Sequence, residues 1–264
     1  MRLLHVLCAG VVLFVSSASF GQQNDPITAS RFGISIDGVQ TSVFGFEGGD
    51  VPGDVAKPTS TPLKLTVDRT GSEAIWQWIA ASINSGPTEK KIEGQAKGRR
   101  RAVFTGAHIT EVKFDDLDAN AGKKPMRVVV TIVPKQVVAV ADDKSKPEPA
   151  LKGWHTANFR VKIGGLPVER VSKIDSLTWK QKVVEGGKQV LELADVRMTV
   201  DGSGAKALED ALAKDKSKAL TITLTGDDGS VWKTITVTGL KIHASQAAGA
   251  NKSMILKGSK ILVN

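Results

Sequence analysis

Residues 30–39, "SRFGISIDGV", and residues 157–166, "ANFRVKIGGL", carry the same pattern. Each stretch alternates apolar and polar residues and then reaches a glycine, which predicts a β-strand that runs into a turn. The matched positions keep one constant spacing: Phe32, Ile34, Ile36 and Gly38 in the first stretch correspond in turn to Phe159, Val161, Ile163 and Gly165 in the second. The chain therefore contains the same predicted element twice.

The similarity continues along the chain at a second, slightly larger spacing. "LKLTVD" (63–68) matches "VRMTVD" (196–201), and "TGAHI" (105–109) matches "TGLKI" (238–242). Both matches share the spacing that takes residue 63 to residue 196, which we call the repeat offset. The repeat offset is six residues larger than the spacing between the first pair of stretches, which indicates a net insertion of six residues in the loop after the first strand. Loops tolerate such insertions at small entropic cost. We interpret the pattern as a tandem duplication.

One helix is predicted among the strands of each copy. Ile75, Ile79 and Ile83 form a helical stripe that ends before Gly86-Pro87, and Leu208 and Leu212 form a second stripe. The run at 126–140, "MRVVVTIVPKQVVAV", predicts a continuous buried strand from Val128. The expected fold is mainly β (α+β), with two tandem β-sandwich or barrel modules that each have one short flanking helix.

Trp76 is a candidate inter-module contact. It lies about 200° around the predicted helix from Trp78, so the two side chains cannot point into the same core. One interpretation is that Trp76 faces the neighbouring module. The alternative is that it flanks the core beside Ile79 and Ile83.

The N-terminus has the layout of a secretory signal peptide. Arg2 precedes an apolar run over residues 3–15, and small residues then lead to a predicted cleavage after Gly21. The apolar run is shorter than the roughly 20 residues that span a bilayer. We therefore expect export to the periplasm, cell envelope or extracellular space. The only cysteine, Cys8, lies within the signal, so the mature chain has no disulfide.

Composition divides the rest of the chain into two modules and a linker. Residues 141–153 are charged, contain proline and lack periodicity, which is typical of a linker. The predicted organisation is therefore a signal peptide at 1–21, a first module at 22–140, the linker at 141–153 and a second module at 154–264.

The positive charge suggests a polyanion as one candidate partner. The chain has 36 Lys and Arg against 27 Asp and Glu, a net charge of +9. "KGRRRA" (97–102) concentrates this charge, and the candidate polyanion contacts are Lys97, Arg99, Arg100 and Arg101. The alternative is a solvated turn in a chain whose charge serves solubility. There is no Tyr and only 5% aromatic content, which speaks against a stacking surface for single-stranded nucleic acid.

No group of residues predicts catalysis. His108, His155 and His243 lack metal-ligand spacing, and the mature chain has no cysteine to join them. The sequence contains neither a nucleophile elbow nor a phosphate-binding loop. We therefore predict that the protein is not an enzyme and has no catalytic, cofactor-binding or metal-binding residues and no specific small-molecule ligand.

Several segments resemble the contractile-phage tail tube protein family. They are "RFGISIDGV" (31–39), "LKLTVDRTGSEAIWQWIAASINSG" (63–86), "ITEVKFDDLDANAGKKPMRVVVTIVPK" (109–135) and "NFRVKIGGLPVERVSKIDSLTWKQ" (158–181). The chain is most similar to the tandem bacterial members called phage tail proteins, and more distantly to the type VI secretion tube protein. The resemblance covers roughly residues 30–245.

The resemblance implies a structural, non-enzymatic role. Members of the family form hexameric rings that stack into a hollow tube, so three tandem chains could supply six modules. By position, the implied docking loop is 47–62, and the implied ring-lining strands lie near 31–39, 63–69, 159–163 and 196–200. Tail tube proteins carry no signal peptide. Export therefore leaves an alternative, a monomeric binding module that uses the same fold on envelope polyanions.

Overall fold

The alternating segments of the sequence form antiparallel strands. The computed structural model describes residues 32–49, 61–68, 73–94, 101–140, 155–164, 166–167, 171–214 and 218–264. Within these ranges the protein is mainly β, with three antiparallel sheets, one of them a curled half-barrel, and two α-helices. The signal peptide, the linker 141–153 and most of the candidate docking loop 47–62 lie outside the described residues.

The first half contains nine strands and one helix in the described residues. They are β1 (Phe32–Ile36), β2 (Val39–Val43), β3 (Gly45–Gly48), β4 (Leu63–Val67), α1 (Glu73–Ser85), β5 (Lys90–Gly94), β6 (Ala102–Phe114), β7 (Leu117–Asp118), β8 (Val128–Val133) and β9 (Gln136–Ala139). Ile75 and Ile79 of α1 are fully buried, as their helical spacing predicted. Both helices are too short to cross a membrane, and the described residues contain no other helix that could.

The described part of the second half contains eleven strands and one α-helix. They are β10 (Phe159–Ile163), β11 (Leu166–Pro167), β12 (Val171–Ile174), β13 (Thr178–Val183), β14 (Gln189–Leu193), β15 (Val196–Asp201), α2 (Gly202–Lys214), β16 (Leu220–Thr225), β17 (Val231–Thr238), β18 (Lys241–Ala248), β19 (Asn251–Lys257) and β20 (Lys260–Val263). Leu208 and Leu212 of α2 are buried. The sequence did not predict β12, β13 or β14.

The strand pairing repeats between the two halves. The first-half pairs β1–β5, β5–β6, β6–β9, β3–β4, β4–β8 and β6–β8 recur in the second half as β10–β16, β16–β17, β17–β20, β12–β15, β15–β19 and β18–β19. The repetition found in the sequence is therefore present in the pairing as well. The single strand β6 corresponds to two strands, β17 and β18.

A glycine in the left-handed backbone conformation lies at the same position of both copies. Gly106 has φ 58° and Gly239 has φ 64°, a conformation that glycine adopts without steric cost. β6 continues through Gly106 with a shift of register against β5, and it connects β5 and β9 with β8 and β13 in one ten-stranded sheet. The chain leaves β17 at Gly239 before it enters β18, and the second half consequently has two separate sheets.

The predicted continuous strand over 126–140 is wrong. Proline has no N–H to donate to a β-ladder, and β8 ends at Val133, just before Pro134. The chain resumes as β9 at Gln136 and pairs with the other end of β6. Alternate residues of β8 are buried, whereas β9 is largely exposed. The apolar run is therefore two strands in different places.

Candidate functional site

The two halves exchange strands at one junction. β13, from the second half, pairs with the C-terminal part of β6, so that Trp179 lies opposite Val112. β7, from the first half, pairs with β12, so that Leu117 lies opposite Ile174. Each half therefore extends a sheet of the other through backbone hydrogen bonds. The hairpin β13–β14 occupies the chain position, between β12 and β15, where the first half has residues 49–62 between β3 and β4.

Aromatic side chains fill this junction. Phe114 lies between two tryptophans, with ring centroids 5.3 Å from Trp179 and 6.0 Å from Trp76. Trp76 also meets Trp232 of β17 edge to face at 4.6 Å. Such pairs add about 0.5–1.5 kcal/mol each beyond the burial of their area. The junction therefore has the character of a protein core rather than of a surface contact.

Trp76 and Trp78 both lie in one buried core, with 1% of each exposed, so the prediction that the two side chains cannot share a core is wrong. The indole N–H of Trp76 donates to the backbone oxygen of Asp68 at 3.1 Å, and that of Trp78 donates to the backbone oxygen of Thr88 at 2.9 Å. The structure thus places Trp76 at the contact with the second half through Trp232. The sequence identified the side chain but gave no sign of its partner, which lies in the other half of the chain.

Charged side chains form ion pairs at the edge of the junction. Lys173 of β12 lies 3.0 Å from Asp116 Oδ2 and 2.9 Å from Asp175 Oδ1. The backbone N–H of Ser176 donates to Asp116 Oδ1 at 2.9 Å. Hydrogen bonds to Asp175 and then to Asp116 raise the pKa of Lys173 above its usual value. Burial by itself would raise the pKa of Asp116, but the hydrogen bond and charge of Lys173, aided by the Ser176 N–H, lower it overall.

The Asp116 ion pair predicts a pH-dependent contribution to stability. Because the pKa of Asp116 is lowered by folding, its contribution is complete above the ordinary Asp value and is lost as the pH falls through the lowered value. The two side chains are 38% and 43% exposed, so the contribution is about 0.2–1 kcal/mol. We expect Asp116→Asn to cost this amount at neutral pH and progressively less as the pH falls below the ordinary Asp value, because the wild-type carboxyl then becomes protonated. Urea denaturation of both proteins across that range measures the difference, and a constant difference would contradict the assignment.

Of the four candidate polyanion contacts, the structure describes Arg101 alone. Lys97, Arg99 and Arg100 lie outside the described residues, and Arg101 directly precedes β6. The Arg101 guanidinium donates to Glu93 Oε2 at 3.2 Å. Glu93 also lies 2.7 Å from Lys91, and these two partners, Lys91 first, lower the pKa of Glu93. Arg101 therefore has a carboxylate partner within its own sheet.

β18 is the second-half counterpart of the part of β6 that pairs with β13. At the repeat offset, Ala244, Ser245 and Gln246 match the residues of β6 that pair with β13, which are Glu111, Val112 and Lys113. Even the register shift before this segment recurs in β18. In the described part of the chain β18 pairs with β19 alone and forms the end of its sheet. An edge of this kind offers backbone donors and acceptors to a further strand.

A polar cluster secures the start of the second half. Asp227 Oδ1, in the turn between β16 and β17, lies 2.9 Å from His155 Nδ1 and accepts from Asn158 Nδ2 at 2.6 Å. The hydrogen bond from His155, and then that from Asn158, lowers the pKa of Asp227. Across the ranges that the structure describes, no three His, Cys, Asp or Glu side chains are grouped to hold a metal ion. The hydrogen bonds of Asp227 connect the turn between β16 and β17 to residues 155–158.

Comparison with protein-family models and with curated protein sequences gave no match.

The junction residues that the sequence did not predict are Trp179, Trp232, Lys173 and Asp116. The alternation in "TWKQKV" (178–183) was a local signal for β13. Nothing local indicated that this strand pairs with β6.

Proposed function

We propose that the protein is a non-enzymatic structural protein that assembles with copies of itself through strand edges, as the tail tube proteins that its sequence resembles do. Residues 22–140 and 154–264 are, in this proposal, two tail-tube-like β-modules joined by the linker 141–153. The repeated strand pairing and the one helix in each half support this division. The predicted signal peptide leads us to propose assembly outside the cytoplasm.

One observation carries the proposal. The edge of β6 in the first half is covered by the hairpin β13–β14 of the second half, and the matching edge of β18 has no such hairpin among the described residues. The chain therefore contains one complete module-to-module junction and an acceptor for another. The proposed occupant of that acceptor is a second copy of the chain.

The same contact repeated from copy to copy is heterologous, because donor and acceptor surfaces differ. Heterologous contacts close into rings when the rotation between subunits allows it, and otherwise extend into filaments. A ring of three chains would present six modules, and stacked rings would form a tube. The duplication would favour this arrangement, because the two modules at every second junction belong to one chain.

Light scattering on residues 22–264 tests the proposal. We expect the mass to rise above that of one chain as the concentration is increased, with rings or tubes visible by negative-stain electron microscopy. A single-chain mass at every concentration would contradict assembly and would favour the monomeric binding module. Retention on heparin that falls with rising salt would then support the polyanion partner.

A matched pair of double variants locates the contact. Gln246→Lys with Ala247→Lys places a charge on each face of the exposed edge strand β18, and charged edge strands resist further pairing. Ala207→Lys with Ala213→Lys adds the same charge at exposed positions of α2. We expect the first variant to remain a single chain and the second to assemble like the wild type. Equal assembly of both variants would exclude β18 as the acceptor.

A further inference from the structure

We infer that copies join through one added strand at β18, whereas the two halves inside the chain exchange two strands, so that the single chain is the durable unit of the assembly. This inference rests on the proposed self-assembly and describes the contact that it requires. The occupant of β18 is a second copy, because the matching edge of β6 is covered by the other half of this same chain. The contact between copies is consequently weaker than the junction inside the chain.

Residues 115–127 supply the second of the two strands that the halves exchange. They contain β7, which pairs with β12, and Leu117 of β7 is buried at 1% exposure. The N–H of Asp118 also donates to the backbone oxygen of Thr156 at 3.2 Å, and the oxygen of Lys124 accepts from the N–H of Thr156 at 2.8 Å. These bonds add to the pairing of β13 with β6.

The corresponding connection of the second half, which the structure describes completely, has no such segment. Gly249 and Ala250 alone lie between β18 and β19. Gly249 has φ 64°, a conformation that lets the chain reverse direction within this short turn. A two-residue turn joins the ends of two paired strands directly, so it leaves no chain to form a strand elsewhere.

Strand pairing establishes that these two connections are equivalent. Phe114 lies opposite Val128 in the β6–β8 pair, and Ala247 lies opposite Lys252 in the β18–β19 pair. Val128 and Lys252 in turn lie opposite equivalent residues of β4 and β15. The two pairs therefore have one register, and they differ in the length of chain that connects their strands.

The aromatic centre of the junction is also missing from the acceptor side of the second half. Phe114 is 1% exposed and packs between Trp76 and Trp179, whereas its counterpart Ala247 is small and exposed. At the repeat offset Trp76 corresponds to Glu209, and the buried stripes of the two helices coincide at this offset. A strand added at β18 therefore meets neither Phe nor Trp from β18 or α2.

Cutting the linker compares the two contacts directly. The protein is residues 22–264 with the recognition site of a specific protease inserted within 141–153, and the uncut protein is the control. Light scattering across a dilution series gives the concentration at which uncut copies separate, and sedimentation after cutting gives that at which the halves separate. We expect the halves to remain together down to a concentration at least about tenfold lower, because they keep the second strand and the aromatic contacts. Halves that separate at the same or a higher concentration would overturn the inference.

Grafting the missing strand tests its cause. Replacing Gly249 and Ala250 with residues 115–127 gives the second half a counterpart of β7, which can pair with β3, the counterpart of β12, in the next copy. We expect association to become at least about tenfold tighter. The same graft with Leu117→Pro in the inserted segment is the control, because proline has no N–H to donate to a strand. Equal association of the two grafted proteins, both folded by thermal unfolding, would contradict the inference.

The outcomes separate this inference from the proposed function. If the wild type never exceeds one chain, both are wrong. If the wild type assembles and the cut halves separate as readily as the copies do, assembly stands and the one-strand contact is wrong. Should the grafted proteins fail to fold, cutting the linker still decides the question.

Discussion

Replacing Trp76 with alanine is expected to lower the free energy of unfolding by about 3–5 kcal/mol. The side chain is 1% exposed and packs against Phe114 of its own half and Trp232 of the other. The change leaves a cavity at the junction, since the surrounding side chains are fixed by two sheets and relax only in part. It also removes the hydrogen bond to the backbone oxygen of Asp68.

Gln77→Ala is the matched control for Trp76→Ala. Gln77 is the next residue of α1 and is exposed, and its amide makes one long hydrogen bond to Glu73 at 3.4 Å. Surface changes of this kind alter stability by about 0.5 kcal/mol or less. Guanidinium denaturation of the three proteins measures both effects. A loss below about 1 kcal/mol for Trp76→Ala would show that the two halves do not depend on this contact.

Trp179→Ala is expected to cost a similar amount, about 3–5 kcal/mol, and to release the hairpin β13–β14 first. Trp179 is fully buried and packs on Phe114, with ring centroids 5.3 Å apart. Its indole nitrogen has no hydrogen-bond partner within the described structure, so its contribution comes from packing. Since β13 meets β6 over only three residue pairs, the loss of this side chain removes the main anchor of the hairpin.

Hydrogen exchange distinguishes local release from general destabilisation. In Trp179→Ala we expect the amides of residues 178–193 to lose protection before those of β8. Lys180→Ala is the control, because Lys180 is the adjacent, exposed residue of the same strand. Uniform loss of protection across both segments would contradict the assignment of Trp179 as the local anchor of β13.

Local patterns predicted several elements of the fold. β1, β4, β10 and β15 lie within or on the alternating stretches that define the repeat, and α1 ends before Gly86 as expected. These features depend on side-chain periodicity over a few residues, which the sequence displays directly. Pro134 was a signal for a strand break, but the apolar residues on both sides of it favoured a single continuous strand.

Pairing between distant segments could not be predicted in the same way. Trp179 and Val112 are far apart in sequence, and the pairing of β13 with β6 depends on which sheet edge is available after folding. The same holds for Trp76, whose angle on the helix showed a second face but not its partner. Asp116 and Lys173 likewise became neighbours only through the pairing of β7 with β12. The signal peptide, the polyanion contact at 97–101 and the ring remain predictions.

Hydrogen exchange of β18 at increasing protein concentration tests the central claim most directly. We predict that the amides of residues 241–248 gain protection as the concentration of residues 22–264 is raised, because a second copy adds its backbone to this edge. β17, which already pairs with β16 and β20, serves as the internal reference and should not change. Identical exchange of β18 at all concentrations, with the mass of a single chain throughout, would contradict the account.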